Sequence, residues 1–412
     1  MAQLNITLNQ EEILQLLSNN SNDAFRKLLE ASLNALLKAE STEQLKAEPY
    51  ERSEERTDSR NGFRDRNLNT RIGTITLHVP RHRNVPFKTM IFESYSRSEA
   101  ALIAAMAEMV VCGVSTRKIA KVMEELCGTS YSKSAVSELC KALDAEVEKF
   151  RNRPLDESYP FVTLDATYFK VRENHRVISK ALMIAICTNS DGKHEIIGFG
   201  AYPRESIDTW RDFLQSLKAR GLKKALMLTS DAHEGIRHAV SEEFPETSWQ
   251  RCQAHFKRNI CGKAPARYQA GLSAELQEMF NAKDINTARA KRDSIIADYS
   301  DVAESAMKCL DEGFESCMTA MELSPHLYQH YRTSNHIERL NRELKRRSKV
   351  IGIFPNEASL IRLMGSVLVE LNEGYQDGRR IFSRQAYQEL MASRTPVRMK
   401  AIAEEQRQLL AA

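Results

Sequence analysis

Three carboxylates have the type and setting for metal chemistry. Asp165 lies inside Phe161 to Val171 (FVTLDATYFKV), and Asp231 follows Lys224 to Ser230 (KALMLTS). The first run is dominated by aromatic and β-branched residues, the second is apolar, and neither contains Gly or Pro, so both are predicted to be buried strands. A lone carboxylate in such a strand is costly to bury unless a cation compensates it. The pair therefore points to a shared cation, and Glu338 in NHIERLNRELKRR is the third candidate ligand. Mg2+ takes hard oxygen ligands and keeps positions open for water and phosphate. Two such ions, ~3.5–4 Å apart, can activate the attacking oxygen and stabilise the leaving one in phosphodiester cleavage. Asp165 is expected to bridge two Mg2+ ions, with Mn2+ able to substitute, and Asp231 and Glu338 to flank them. The competing reading is that each acid pairs with a nearby arginine.

Such a site requires strands that are neighbours in space. After Phe161–Val171 the pattern predicts strands at Val177–Cys187 and His194–Tyr202, joined by the Asn189-Ser190-Asp191-Gly192 turn. A helix from about 207 to 220 ends at Gly221, followed by the strand Ala225–Ser230, a helix at about 234–244 and a short strand at Trp249–Cys252. A three-stranded meander followed by helix-strand-helix-strand is the order of a ribonuclease-H-like core, in which the first and fourth strands are adjacent and Asp165 can meet Asp231. Residues 256–332 carry only helical periodicity and are expected to interrupt that core. Ser334 is expected to cap the helix of Glu338, where Ile337, Leu340 and Leu344 form an apolar stripe and Asn335, Asn341, Arg342 and Lys345 share the face of the acid.

The expected fold is thus an α/β ribonuclease-H-like catalytic core interrupted by an all-α insertion, with mainly α-helical N-terminal DNA-binding modules and a helical C-terminal tail. Residues 1–50 read as a helical region for dimerisation or DNA binding, including a helix at Gln10–Leu17, and 51–96 as a basic loop and strand. Residues 97–154 read as a helix-turn-helix-like domain with caps at Ser98, Ser115 and Ser132 and a turn at Gly128-Thr129, bounded by Pro154. The core occupies 155–255 and 333–375, the insertion 256–332 and the tail 376–412.

The formal net charge of the 412 residues is only +4, but the cations are clustered at Arg56–Arg83 and Arg339–Lys349. Clusters of this kind point to a polyanion. Arg56, Arg60, Arg64, Arg66, Arg81, Arg83, Arg258, Arg339, Arg342, Lys345, Arg346 and Arg347 are the candidate DNA contacts. No run approaches the ~18 apolar residues of a membrane span. The start MAQLNITLNQEE lacks the order of a signal peptide, and the eight cysteines are scattered, so reduced thiols and a cytoplasmic protein are expected. Cys252 and His255, with His326 and His330, have the ligand types of a zinc site, but the long gap favours a buried structural pair near the active site. Trp210 is expected to pack its helix on the sheet. His233 is a candidate phosphate contact or a helix cap.

FVTLDATYFKVR, LTSDAHEGI, RCQAHFKRNI and TSNHIERLNRELKRRSKVIGIFPN resemble the bacterial insertion-sequence transposases of the Mutator-like superfamily. The resemblance extends to RNGFRDR, RIGTITLHVPRHR and WRDFLQSLKARGL and spans roughly residues 48–375. It implies a DDE transposase: Asp165, Asp231 and Glu338 match the catalytic acids, and Cys252 and His255 match the Cys-x-x-His signature. It further implies double-stranded DNA partners (the element's terminal inverted repeats and a target) and a homodimer associated with the bacterial nucleoid. A nuclease or resolvase on the same core, or an inactive end-binding protein, are the alternatives.

Overall fold

A computed structural model describes residues 21–52, 54–70, 72–89, 100–127 and 131–411. The helix expected at 10–17, the Ser98 cap and the Gly128-Thr129 turn lie outside the described residues. The chain divides into two compact units, 1–142 and 143–412.

In the first unit, helix α1 (Ser21–Leu45) packs on a hairpin of β1 (Arg60–Thr70) and β2 (Gly73–His82). Leu37, Ile75 and Leu77 are its buried centre. The edge of β2 is covered by side chains of α1. Asn34 donates to the Thr76 carbonyl at 2.9 Å and accepts the His78 amide at 2.7 Å, while Glu30 accepts the Thr76 amide at 3.0 Å. The segment expected to be a basic loop is therefore largely strand. RNGFRDRNLNT has too few apolar residues to show alternation, and the strand is held by its antiparallel ladder from Arg64–Val79 to Thr70–Gly73. Asn61-Gly62 forms a bulge, with a register shift between Arg60 and Phe63 and Gly62 at φ +74°.

A second cluster in this unit joins α2 (Ala100–Val111), α3 (Thr116–Cys127) and α4 (Lys133–Leu139) through Leu102, Met106, Ile119, Met123 and Val136. Ser132 caps α4 by accepting the Ala135 amide at 3.0 Å. α4 is followed by a 3-10 turn at Cys140–Leu143. Its continuation, α5 (Asp144–Arg151), belongs to the second unit, where Arg362 grips Asp144 with two 2.7 Å bonds. The two compact units divide at 142/143, and Pro154 lies within the second.

The second unit is built on a mixed sheet of β3 (Ser158–Glu173), β4 (Arg176–Thr188), β5 (His194–Tyr202), β6 (Lys224–Ser230) and β7 (Ser248–Arg251), in the spatial order β5-β4-β3-β6-β7. β3, β4 and β5 are antiparallel, while β6 and β7 run parallel to β3. The connections α6 (Ile207–Ala219) and α7 (Glu234–Glu243) cover one face, where Trp210, Phe213 and Leu217 pack with Leu164, Met183 and Leu228. The buried Trp210 indole donates to Glu205 at 3.3 Å.

From β7 to the Glu338 helix the described chain has no strand. It forms α8 (Gln253–Lys263), α9 (Ala266–Phe280), α10 (Ile285–Tyr299), α11 (Glu304–Met318) and, after a 3-10 turn, α12 (Pro325–Tyr331). Phe256, Leu272, Leu276, Leu310 and Phe314 give this block its own core. There follow α13 (Asn335–Ser348), α14 (Glu357–Asp377), α15 (Arg384–Ala392) and α16 (Thr395–Ala411). Phe161 on the sheet's second face stacks on Tyr331 with ring centroids 3.8 Å apart.

The tail has a role the sequence did not disclose. α16 lies along β7 and buries Met399, and Gln406 pairs with the sheet edge. Its side-chain oxygen accepts the Trp249 amide and its nitrogen donates to the Trp249 carbonyl, both at 2.8 Å. No helix among the described residues is long and apolar enough to cross a membrane. Gln406→Ala leaves the Trp249 amide unpaired, while Thr319 still donates to the Trp249 carbonyl at 3.0 Å, and should cost about 1–3 kcal/mol of stability. Urea unfolding should show a lower midpoint, whereas Gln408→Ala, on the exposed side of α16, should leave it unchanged.

Candidate active site

Strand register brings the two aspartates together. β3 and β6 are parallel with Thr163 opposite Thr229, so Asp165 and Asp231, each two residues further on, stand at the same level on the same face. Asp231 lies just past the end of its strand, where its Oδ1 accepts the His233 amide at 3.2 Å. His233 then caps α7, its Nδ1 accepting the Gly235 amide at 3.1 Å. Its ring is thereby committed to the helix end.

Glu338 arrives through a different device. Ser334 precedes α13, but its hydroxyl does not cap the helix. Its hydroxyl and its amide both donate to Cys252 Sγ, at 3.1 and 3.3 Å, across 82 residues of sequence. Gln253 adds a backbone bond to the Arg332 carbonyl at 3.0 Å. The start of α13 is thus fastened to the end of β7. Ile337, Leu340 and Leu344 are buried beneath the helix, which packs against β3. One turn beyond Glu338, Asn341 donates from Nδ2 to Asp165 Oδ2 at 2.7 Å. Asn341 was legible as a residue sharing the Glu338 face; that it grips Asp165 was not.

The electrostatics are those of a site short of positive charge. Burial, and then the charge of Asp231, push Asp165 up to about 7, and Glu205 adds to the push. Glu205, which carried no sequence signal, follows β5 and faces the site from there. Glu338 Oε1 is buried without a hydrogen bond, its nearest cation being His255 Nε2 at 3.4 Å. His255 is raised to about 8, first by the Cys252 thiol beside it and then by the Glu338 and Asp165 carboxylates, against the opposing effect of burial. Its buried Nδ1 has no acceptor other than the neighbouring Cys252 sulfur. Burial pushes the Cys252 thiol up, but the His255 and Ser334 donors outweigh it and bring the thiol below its ordinary range. Asp165, Asp231, Glu338, His255 and Cys252 therefore form one neighbourhood. Among the described residues no three His, Cys, Asp or Glu side chains converge tightly enough to enclose an ion. The Cys252, His255, His326 and His330 set accordingly does not assemble; His326 Nε2 instead meets the Ile381 carbonyl at 2.9 Å.

The candidate DNA contacts divide by exposure. Arg258, Arg339, Arg342 and Lys345 are exposed on α8 and α13, as is Arg346, which pairs with Glu343. Arg347 is buried and held by Glu370 at 2.5 and 2.6 Å and by Glu343 at 2.7 Å. It ties α13 to α14 and is not displayed to a phosphate, a correction that only the packing of those helices reveals. In the first unit Arg64, Arg81 and Arg83 are exposed and Arg66 is half-buried. Arg56 and Arg60 are also half-buried and spend hydrogen bonds on the chain itself, Arg56 on the Asp58 carbonyl and Arg60 on Thr42 and the Ala47 carbonyl.

Residues 1–378 match the family model described as "Transposase, Mutator family". The chain belongs to the Mutator family of transposases. It is 42% identical over 377 residues to the transposase for insertion sequence element IS256 in transposon Tn4001 of Staphylococcus aureus, an alignment covering 90% of this chain and 96% of the relative. It is 38% identical to the ISRM5 transposase of Rhizobium meliloti, covering 89% and 91%. With the IS1081 transposase of Mycobacterium tuberculosis it shares 36% identity, covering 88% of each. The match takes in both units and ends before α15, so the helix that seals β7 lies beyond the matched segment.

The raised Asp165 makes a prediction for the metal-free transposase. Its ionised form is penalised on folding, so the penalty is absent below the unfolded value of 3.8, grows with pH, and is complete above about 7. Asp165→Asn should therefore raise the melting temperature in chelator at pH 8, by a free energy on the order of a few kcal/mol. The two proteins should converge as the pH approaches 4. Equal melting curves at pH 8 would show that the carboxylate is not strained by burial.

Proposed function

We propose that this transposase is a DDE enzyme that binds the ends of its mobile element and carries out metal-dependent strand cleavage and strand transfer with Asp165, Asp231 and Glu338. The observation that carries the reading is the parallel register that sets Asp165 level with Asp231, with Glu338 fastened nearby through the Cys252–Ser334 link. The strand order β5-β4-β3-β6-β7 supports a ribonuclease-H-like core, and the helical block from α8 to α12, with its own apolar centre, supports an insertion into it.

The donor chemistry, though not the present spacing of the three acids, fits a divalent cation. The site offers hard oxygens, one of them the unpartnered Glu338 Oε1, and two of its carboxylates repel each other in a buried setting. Asp165, Asp231 and Glu338 would hold two Mg2+ ions, with Mn2+ able to substitute. Bound there, the ions would supply Lewis-acid activation of the attacking oxygen and charge stabilisation of the leaving one. Asn341 holds the Asp165 carboxylate in place. His255, which the neighbouring Cys252, Glu338 and Asp165 push toward its charged form, offsets the acids. Arg258, Arg339, Arg342 and Lys345 draw in the DNA backbone, both of the terminal repeats and of the target. An element has two ends, so a homodimer is the simplest assembly.

Asp165→Asn, Asp231→Asn and Glu338→Gln should each abolish cleavage of an end-containing duplex in Mg2+ while retaining DNA retardation, because affinity resides mainly in the cations. Near-normal strand transfer in any one of them would remove that acid from the assignment. Cleavage without joining would instead favour a nuclease, and retardation alone a binding protein. Arg342→Ala with Lys345→Ala should flatten the salt dependence of DNA binding by ~0.9 in slope for each phosphate no longer neutralised. An unchanged slope would mean that these cations only face solvent.

A further inference from the structure

A cavity of about 270 Å³ lies at the β7 edge of the sheet, among α7, α10, α11 and α16, and none of the three acids lines it. Arg237 of α7 and Arg251 at the end of β7 both line it. Each guanidinium lies over a ring: Arg237 Cζ is 5.1 Å from the Trp249 centroid, and Arg251 Cζ is 4.3 Å from that of Phe256. The other cations of the wall have acids of their own. Arg289 makes two 2.9 Å bonds to Glu315, and Arg398 lies 3.3 Å from Glu322. Arg237 and Arg251 are half-buried, neither has a carboxylate within ion-pair distance among the described residues, and the Nε of each is buried without an acceptor. The remaining acids of the wall, Glu312 and Glu405, are exposed, and Glu312 lies 3.8 Å from Lys308. Burial, and then the charge of Arg251, hold Arg237 below its ordinary range.

Two partly desolvated cations without a counterion oppose folding. One oxyanion between them would remove the repulsion and accept from their Nη groups, the buried Nε atoms being out of its reach. Planar guanidinium forks, stiffened by stacking, match the oxygens of a phosphate. The two residues also flank the candidate active site in sequence: α7 begins three residues after Asp231, and Arg251 directly precedes Cys252, which anchors Ser334.

We propose that Arg237 and Arg251 form a phosphate-binding site separate from the three acids, and that its occupant is a backbone phosphate of a DNA strand. The choice of DNA rests on membership of the transposase family; the phosphate chemistry rests on the arginine pair alone. The full chain reports on the site directly, because one of its two tryptophans, Trp249, lies under Arg237 while Trp210 is enclosed in the core. Tryptophan emission is followed, in chelator, during titration with inorganic phosphate, with sodium chloride of equal ionic strength, and with a short single-stranded oligothymidylate. Phosphate and oligonucleotide should both give a saturable change that chloride does not, the oligonucleotide at about tenfold lower concentration or less. Arg237→Gln and Arg251→Gln should each weaken both by about tenfold or more, the loss of a charge-assisted bond, and Arg237→Lys should retain part of the binding. Without ligand, the Gln variants should melt at or above the wild-type temperature, since a repulsion is removed; a purely structural arginine would melt lower. Asp165→Asn should bind phosphate normally, so loss of the catalytic reading would leave this one standing. No saturable change beyond chloride, or unaltered binding in both Gln variants, overturns the proposal. Saturation by phosphate but not by the oligonucleotide overturns the DNA occupant.

Discussion

The second unit is organised by the cost of placing Asp165 in the middle of its sheet. A carboxylate in the central strand, level with a second one, is tolerated only where the surroundings supply donors and positive charge. The structure answers with Asn341, which donates to Asp165, and with His255, whose ring lies among the acids. Both come from elements remote in sequence. Much of the helical architecture between β7 and α14 can be understood as the means of delivering them.

That delivery depends on a few fastenings. Cys252 receives both Ser334 donors and thereby fixes where α13 begins. The buried stripe of Ile337, Leu340 and Leu344 fixes which face of α13 looks at the sheet, and Arg347 clamps the far end of the helix to Glu370. Glu338 is positioned by these contacts at the start, along the length and at the end of its helix, which leaves its own carboxylate free of structural duty.

A recurring solution in both units is the use of an amide side chain to finish a sheet. Asn34 pairs with the edge of β2, and Gln406 pairs with the edge of β7. Each amide supplies one donor and one acceptor to a strand that would otherwise expose its backbone, so the helix carrying it covers the edge. At β7 the covering helix also helps to enclose the cavity lined by Arg237 and Arg251.

The periodicity of the sequence was enough to locate the five strands along the chain, because β-branched and apolar runs separated by turn residues leave few alternatives. That Asp165 and Asp231 could meet was expected from adjacent strands; their level placement is set by the β3–β6 register, and the Glu338 face follows from helical spacing. Local pattern could not reveal contacts made across long separations. The thiol clamp at Cys252, the grip of Asn341 on Asp165 and the burial of Arg347 each join elements that only tertiary packing makes neighbours. Nor could it show β1, whose residues lack apolar alternation because the strand is held by its backbone ladder, or the role of Gln406, an amide on a helix with a weak apolar pattern. Sequence alone fixes what a segment prefers, through propensity and periodicity. Which groups meet at the end of that preference, and which buried charges are left without a partner, is decided only when the segments pack.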